Sequence, residues 1–247
     1  MTSYNLIEQT VAYDNNQNTK PQFIKIENKT QITIEQFPYI IRNCEQFKVS
    51  LTEITDAFLA ENSQNIWGYT NIDKVEYEYV KPEILLNNWI NDNLTHILVD
   101  TECTKTGLIP EILEPSTKNN PNLNDITNTK NSSLKNISTF YTLTKKNHLT
   151  NFHIDPDYGN GWMYLKLGRK LWWFISPTDL DYLEQKGIQI VDLKNKSFND
   201  LIYMCDNYLW GKIYIGEIGE NDFIYFPKNW GHRVYTFDKA IGLSGYC

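Results

Sequence analysis

The chain holds four histidines: His96, His148, His153 and His232. One of them stands in the run Phe152-His153-Ile154-Asp155. In a β-strand, residues i and i+2 project from the same face. An extended backbone here therefore points His153 and Asp155 together and turns Phe152 and Ile154 the other way. An imidazole and a carboxylate on one face make two-thirds of a three-ligand metal site. The third ligand must come from another strand. His232 is placed for that role: it follows Phe226-Pro227-Lys228-Asn229-Trp230-Gly231 and precedes a strand-like run over 233–237. Two histidines and one carboxylate on one face of an octahedron leave positions open for a bidentate co-substrate and O₂, which suits non-haem Fe(II). The same three groups plus a water would also satisfy tetrahedral zinc. The residue types alone leave that choice open.

Such a site needs a rigid frame, and the second half of the chain reads as one. Short β-rich runs follow one another over 138–144, 151–154, 162–167, 170–175, 212–216, 222–226, 233–237 and 241–246, with turn residues between them. Many short strands at this spacing predict a β-sandwich or barrel, the double-sheet jelly roll among them. A helical pattern at 179–185 sits in the longest gap. The first half is mixed. Strand-like runs are expected at 23–26, 31–34, 37–42 and 75–80. A helix is expected at 50–62, with Ser50 as its cap, Glu53 three residues on, and Leu51, Ile54, Ala57 and Phe58 on one face. A second helix is expected at 82–93, opened by Pro82 and turning Ile84, Leu85, Trp89 and Ile90 inward. Residues 117–136 are almost entirely Asn, Thr, Lys, Ser, Pro and Asp and read as an exposed polar insert. The predicted organisation is a polar lead-in (1–22) and a single domain (23–247). That domain comprises an α+β flank (23–116), the insert (117–136) and a mainly β core (137–247).

Composition narrows the function classes. The chain has 247 residues and a formal net charge of −7, with 41% hydrophobic and 14% aromatic residues. That supports a real core and argues against a broad nucleic-acid footprint. No stretch reaches the roughly 18 apolar residues of a membrane helix. The first ten residues lack a basic region followed by an apolar run, which predicts an intracellular protein, nuclear or cytoplasmic. Cys44, Cys103, Cys205 and Cys247 are far apart and include no Cys-x-x-Cys pair, so neither a zinc finger nor a disulfide framework is expected.

Around the His-x-Asp run, several words fall in a familiar order. They are Thr150-Asn151-Phe152-His153-Ile154-Asp155, Gly161-Trp162-Met163-Tyr164, Gly168-Arg169-Lys170, Phe174-Ile175-Ser176-Pro177-Thr178, Phe226-Pro227 and Trp230-Gly231-His232. The segment 140–247 resembles the catalytic core of the JmjC family of Fe(II)/2-oxoglutarate oxygenases. It is most similar to the lysine-demethylase branch whose members carry a plant-homeodomain or CXXC reader. Residues 37–42 and 80–89 resemble the family's N-terminal region loosely.

The resemblance implies a mainly β double-stranded β-helix, a jelly-roll or cupin-like barrel, flanked by N-terminal helices and strands. It implies that His153, Asp155 and His232 hold the iron. It implies that Lys170 and Thr150 bind the distal carboxylate of 2-oxoglutarate, with O₂ as the third reactant. A dianion entering a closed barrel needs a fixed cation and donors at its far end. Thr150 lies three residues before His153, the wrong parity for an ideal strand, so a bulge is expected between them. The branch's tyrosine after the tryptophan is Met163 here, and Tyr164 has the opposite parity. Trp162, Trp172, Trp173 and Trp230 are expected in the core; His96 and His148 are expected to be ordinary polar residues. The implied partner is a methylated lysine peptide, such as a histone tail, bound by a monomer. Two alternatives remain at this stage: a JmjC hydroxylase giving a stable alcohol, and a non-catalytic jelly-roll binding module.

Overall fold

The computed structural model describes residues 22–28, 32–47, 49–71, 76–94, 97–113, 137–155, 159–194 and 213–247. The expected insert, almost all of the lead-in, His96 and Cys205 lie outside these residues.

The first half contributes β1 (Gln22–Phe23), β2 (Lys25–Glu27), β3 (Ile32–Thr33), β4 (Tyr39–Ile41), helix α1 (Leu51–Glu61), β5 (Ile66–Asn71), β6 (Glu76–Val80), helix α2 (Pro82–Ile90), β7 (Leu98–Glu102) and β8 (Ile112–Leu113). The second half contributes β9 (Ser138–Thr144), β10 (His148–His153), β11 (Gly161–Ile175), helices α3 (Pro177–Gln185) and α4 (Ile190–Lys194), β12 (Tyr214–Ile218), β13 (Asp222–Phe226) and β14 (Gly231–Tyr246).

The second helix stops at Ile90, short of the expected 93, while the first starts where its cap predicts. Ser50 Oγ accepts from the Glu53 backbone N–H at 3.1 Å, and the Glu53 carboxylate accepts from the Ser50 N–H at 2.6 Å. This reciprocal box satisfies two donors that a helix start otherwise leaves bare. Ile54, Ala57 and Phe58 of α1 are buried, as the spacing predicts. Helix α2 is rotated from its expected setting. It buries Leu85, Leu86 and Trp89, while Ile84 and Ile90 are about half exposed. The sequence pattern there is apolar on too many sides to name the inward face.

Among the described residues one ten-stranded sheet dominates, and its two long strands, β11 and β14, pair with each other along most of their length. Residues 161–165 of β11 lie between β13 and β14, and the end of β14 pairs with β9. Residues 170–175 of β11 lie between β12 and the start of β14, which pairs with β10. Two half-sheets result, and β11 and β14 run through both. Met163, Leu165, Ile224 and Phe226 from one half pack with Trp172, Phe174, Ile218 and Val234 from the other in a single apolar cluster, as in a β-sandwich. On the outer face of the first half, Tyr141, Trp162, Tyr164 and Phe223 pack with Phe58 of α1 and Trp89 of α2. Outside the second half, Leu171 and Trp173 pack against Leu180 and Leu183 of α3. All four named tryptophans of the core are buried.

The sequence reading breaks β11 and β14 into two strands each; both are continuous. In β11 the inner face is odd-numbered at Met163 and Leu165 and even-numbered at Lys170, Trp172 and Phe174. The change happens where the register against β14 shifts, between Leu165 and Lys170. Gly168 sits in that stretch with φ +102°, and a Cβ there would lie 2.6 Å from the Lys239 carbonyl oxygen. Only glycine fits both the dihedral and the space. An odd slip reverses the faces of everything downstream, which is how Lys170 comes to face inward.

Candidate metal centre and its anion pocket

Three rungs cross the inner face of the second half-sheet. Lys170 of β11 stands opposite Thr236 of β14, which stands opposite His148 of β10. The next inner rung is Trp172, Val234 and Thr150. The third is Phe174, His232 and His153. The register of β10 shifts between Thr150 and His153. This is the expected bulge, and it lets both residues keep partners on the inner face of β14 despite their odd spacing.

At the third rung, both imidazoles are held the same way. His153 Nδ1 lies 2.8 Å from the Asn151 carbonyl oxygen, and His232 Nδ1 lies 3.2 Å from the Trp230 carbonyl oxygen. A carbonyl only accepts, so Nδ1 carries the hydrogen on each ring and Nε2 keeps its lone pair. Those two Nε2 atoms converge on Asp155 Oδ1, at 3.4 Å from His153 and 3.8 Å from His232. Ligand atoms of the three residues all lie within 4.8 Å of one another. Orientation of each ligand by a hydrogen bond from its far nitrogen is what a metal-binding histidine requires.

The electrostatics suit a cation. Burial pushes the His232 imidazolium down to about 4, helped by His153 and opposed by Asp155. His232 is therefore neutral near pH 7. Burial works against ionisation of Asp155, but His232, His153 and the Tyr246 hydroxyl together outweigh it and hold the carboxyl below its ordinary value. Phe226, Trp172 and Phe174 surround the His232 ring, with centroids 4.8, 5.6 and 5.7 Å away. They wall off one side of the site, whereas the His153 side chain is 37% exposed.

The first rung lies about 13 Å further in, at the strand rise of about 3.3 Å per residue. Lys170 is 4% exposed, and its Nζ donates to Thr144 Oγ1 at 2.9 Å. Burial alone pushes its ammonium down to about 7. Two cations close to it in sequence are engaged elsewhere: Arg169 Nε donates to Asp238 at 2.7 Å and Lys166 Nζ to Asn221 at 2.8 Å. On the Lys170 rung, His148 Nε2 and Thr236 Oγ1 are buried and make no hydrogen bond within the protein, and the same holds for Thr142 Oγ1, two residues before Thr144 on β9. A buried ammonium among bare polar atoms is a fitting receptor for a carboxylate, which offers up to four acceptor positions. The groups present thus fit a metal at one end and an anionic co-substrate reaching to the other.

The five residues singled out from sequence, His153, Asp155, His232, Lys170 and Thr150, lie in or beside these rungs. Met163 lies on the inner face opposite Ser244. Tyr164 packs on the outer face, its hydroxyl donating to the Phe47 carbonyl. It does not enter the site. Sequence reasoning missed Thr144, Tyr246 and Thr236, and it set His148 aside. Strand register is the signal that finds them: His148 has the same parity as Thr150, and Thr236 the same parity as His232.

No family model matches the chain. Curated relatives do, among them two named JmjC domain-containing histone demethylation protein 1, one from Caenorhabditis elegans and one from Caenorhabditis briggsae. Each is 26% identical over 110 residues, which is 44% of this chain. The matched stretch spans only 9% of the first relative and 10% of the second. The chain is thus similar to these relatives over less than half of its own length, and it carries a His-Asp-His group that could hold a metal ion.

Proposed function

We propose that this chain is an Fe(II)- and 2-oxoglutarate-dependent dioxygenase built on a double-stranded β-helix, and that it removes N-methyl groups from lysine in a protein, histone tails foremost. The observation that carries this reading is the ladder of three inner rungs, with His153, Asp155 and His232 at one end and Lys170 buried at the other. When bound, Fe(II) with 2-oxoglutarate would supply O₂ activation, the co-substrate becoming succinate and CO₂ as a substrate C–H is hydroxylated; a hydroxylated N-methyl group would then leave as formaldehyde.

The chain's own residues do the rest. His153, Asp155 and His232 would hold the iron. Two neutral imidazoles and one carboxylate bring a single negative charge to a dication, so the site keeps a net attraction for an anionic co-substrate. Lys170 and Thr150 bind the far carboxylate and fix the co-substrate's direction. Phe226, Phe174 and Trp172 exclude water behind His232. The exposed flank of His153 leaves the metal end open to a peptide side chain. The names of the two relatives favour demethylation over hydroxylation.

The test measures succinate formation from 2-oxoglutarate with Fe(II), comparing the wild type with His153→Ala. Iron-dependent turnover that His153→Ala abolishes is expected, even without a second substrate; its absence from the wild type overturns the enzyme reading. Mass spectrometry of methylated histone peptides then decides the reaction. A loss of about 14 mass units per event is expected for demethylation, whereas a gain of about 16 would mark a hydroxylase.

A further inference from the structure

The innermost rung holds more polar groups than one lysine and one threonine account for. Lys170 has Thr144 as its neighbour, yet His148 Nε2, Thr236 Oγ1 and Thr142 Oγ1 stay unbonded and out of water. A buried polar atom left without a partner opposes folding. Two of these atoms on the rung of a buried ammonium, with the third two residues before its Thr144 neighbour, point to a ligand that satisfies them when it binds. The Cα register is specific about who shares the space. His148 is directly across β14 from Lys170, with Thr236 between them. Thr236 is the common partner of both residues in the register, which puts the two on one face of the sheet. Leu149, of opposite parity, stands across from Tyr235, which packs in the outer cluster with α3 and α4.

We propose that His148 is a further co-substrate-binding residue: its Nε2–H donates to the distal carboxylate of 2-oxoglutarate, with Lys170 on the other side and the Thr236 hydroxyl between them. The proposal rests on the oxygenase reading above. The chemistry selects the ligand's far end. A carboxylate can accept from the ammonium, the imidazole and a hydroxyl together; a methyl group or a neutral amide cannot satisfy all three. Met163, on the same strand as Lys170, carries a thioether and supplies no donor, whereas His148 Nε2 is buried and bare. His148 is then a specificity residue, favouring a five-carbon dicarboxylate over a shorter 2-oxo acid.

The test uses calorimetric binding to the Mn(II)-loaded full chain with two probes: 2-oxoglutarate, and 2-oxobutyrate, which has the same chelating end and no distal carboxylate. The wild type should prefer 2-oxoglutarate. His148→Leu should weaken 2-oxoglutarate about tenfold, the worth of one hydrogen bond to a charged group, and leave 2-oxobutyrate and Mn(II) affinity unchanged. His148→Asn, which keeps an N–H donor, should recover part of the loss. Unchanged 2-oxoglutarate binding by His148→Leu overturns the proposal, and so does a parallel loss for both probes, which marks a structural role. If His148→Leu no longer holds Mn(II), His148→Asn decides: partial retention of the preference supports the proposal, and loss of Mn(II) binding there too overturns it. A wild type that binds Mn(II) but not 2-oxoglutarate overturns the oxygenase reading itself, a result distinct from any of these.

Discussion

His153 and His232 stand directly opposite each other across the β10–β14 pair, their ring centroids 4.3 Å apart. Neighbouring imidazoles this close share space comfortably only when they are neutral or when a cation lies between their Nε2 atoms. With Asp155 beside them, the pair makes a cation site from strand register and from two backbone carbonyls that fix the rings.

The two histidines should respond differently to truncation. His153→Ala removes a partly exposed side chain and should change the stability of the metal-free protein by less than about 1 kcal/mol. His232→Ala empties a space lined by Phe226, Trp172 and Phe174 and should cost about 2 kcal/mol or more. Each should weaken Mn(II) binding at least about a hundredfold, given how strongly sites depend on ligand count. In thermal melts the wild type should gain stability with added Mn(II) by mass action. A Mn(II)-dependent gain retained in His153→Ala would remove that residue from the ligand set.

Acid should unfold the protein early. Burial holds the conjugate acids of His148 and His232 down at about 4, against an ordinary 6.5; His148 feels Lys170 as well. Between those values the unfolded chain takes up protons that the folded chain refuses. Stability is therefore fully present above about pH 6.5 and falls as pH drops toward 4, by a few kcal/mol over both groups. Urea midpoints from pH 4.5 to 7.5 should decline steadily toward the acid side, and His148→Leu should flatten part of that slope. A midpoint independent of pH across this window would contradict the buried, neutral state of both rings.

Lys170 sets stability against function. Burial depresses its ammonium to about 7 from 10.5, so above pH 7 the unfolded chain binds the extra proton. Stability attributable to this group is lowest below pH 7 and is regained as pH rises from about 7 toward 10.5. Lys170→Met removes a buried charge with one neutral partner and keeps the volume. It should stabilise the chain near pH 7 by about 1–3 kcal/mol and abolish that pH dependence, while weakening 2-oxoglutarate binding at least about a hundredfold. Urea melts and the calorimetric titration read the two effects independently.

Much of this was legible in the residues. The period-two rule places His153 with Asp155, the capping box starts α1 where it is observed, and the spacing of short β runs predicts a β architecture. What escaped depends on long-range geometry. Nothing local in Gly168-Arg169 says that β11 continues through it; the continuity comes from pairing with β14, far along the chain. The place of His148 opposite Thr236, two strand pairings from Lys170, has no local signature in the sequence. Strand β5, with Trp67 and Tyr79 paired across the β5–β6 hairpin, went unread because Gly68 and a polar surround blur its alternation. Helix α2 was misrotated because Ile84 and Ile90, though apolar, face solvent.

Gly168 allows the register slip to be tested without touching a ligand. Its φ of +102° disfavours any side chain, and a Cβ would meet the Lys239 carbonyl oxygen at 2.6 Å and the Ala240 Cβ at 2.8 Å. Gly187 has a φ of +80° but nothing within 4 Å of its would-be Cβ. Gly187→Ala should therefore cost only the dihedral strain, about 1 kcal/mol, while Gly168→Ala should cost that plus the clash, about 3 kcal/mol or more. The functional consequence separates them further. The chain relieves the clash by shifting β11 against β14, and a shift there moves Lys170 and leaves His153, Asp155 and His232 on their own strands. Gly168→Ala should keep Mn(II) affinity within about threefold and lose most of its preference for 2-oxoglutarate over 2-oxobutyrate. Equal melting temperatures for the two variants, or an undisturbed preference in Gly168→Ala, would show that the slip does not position Lys170.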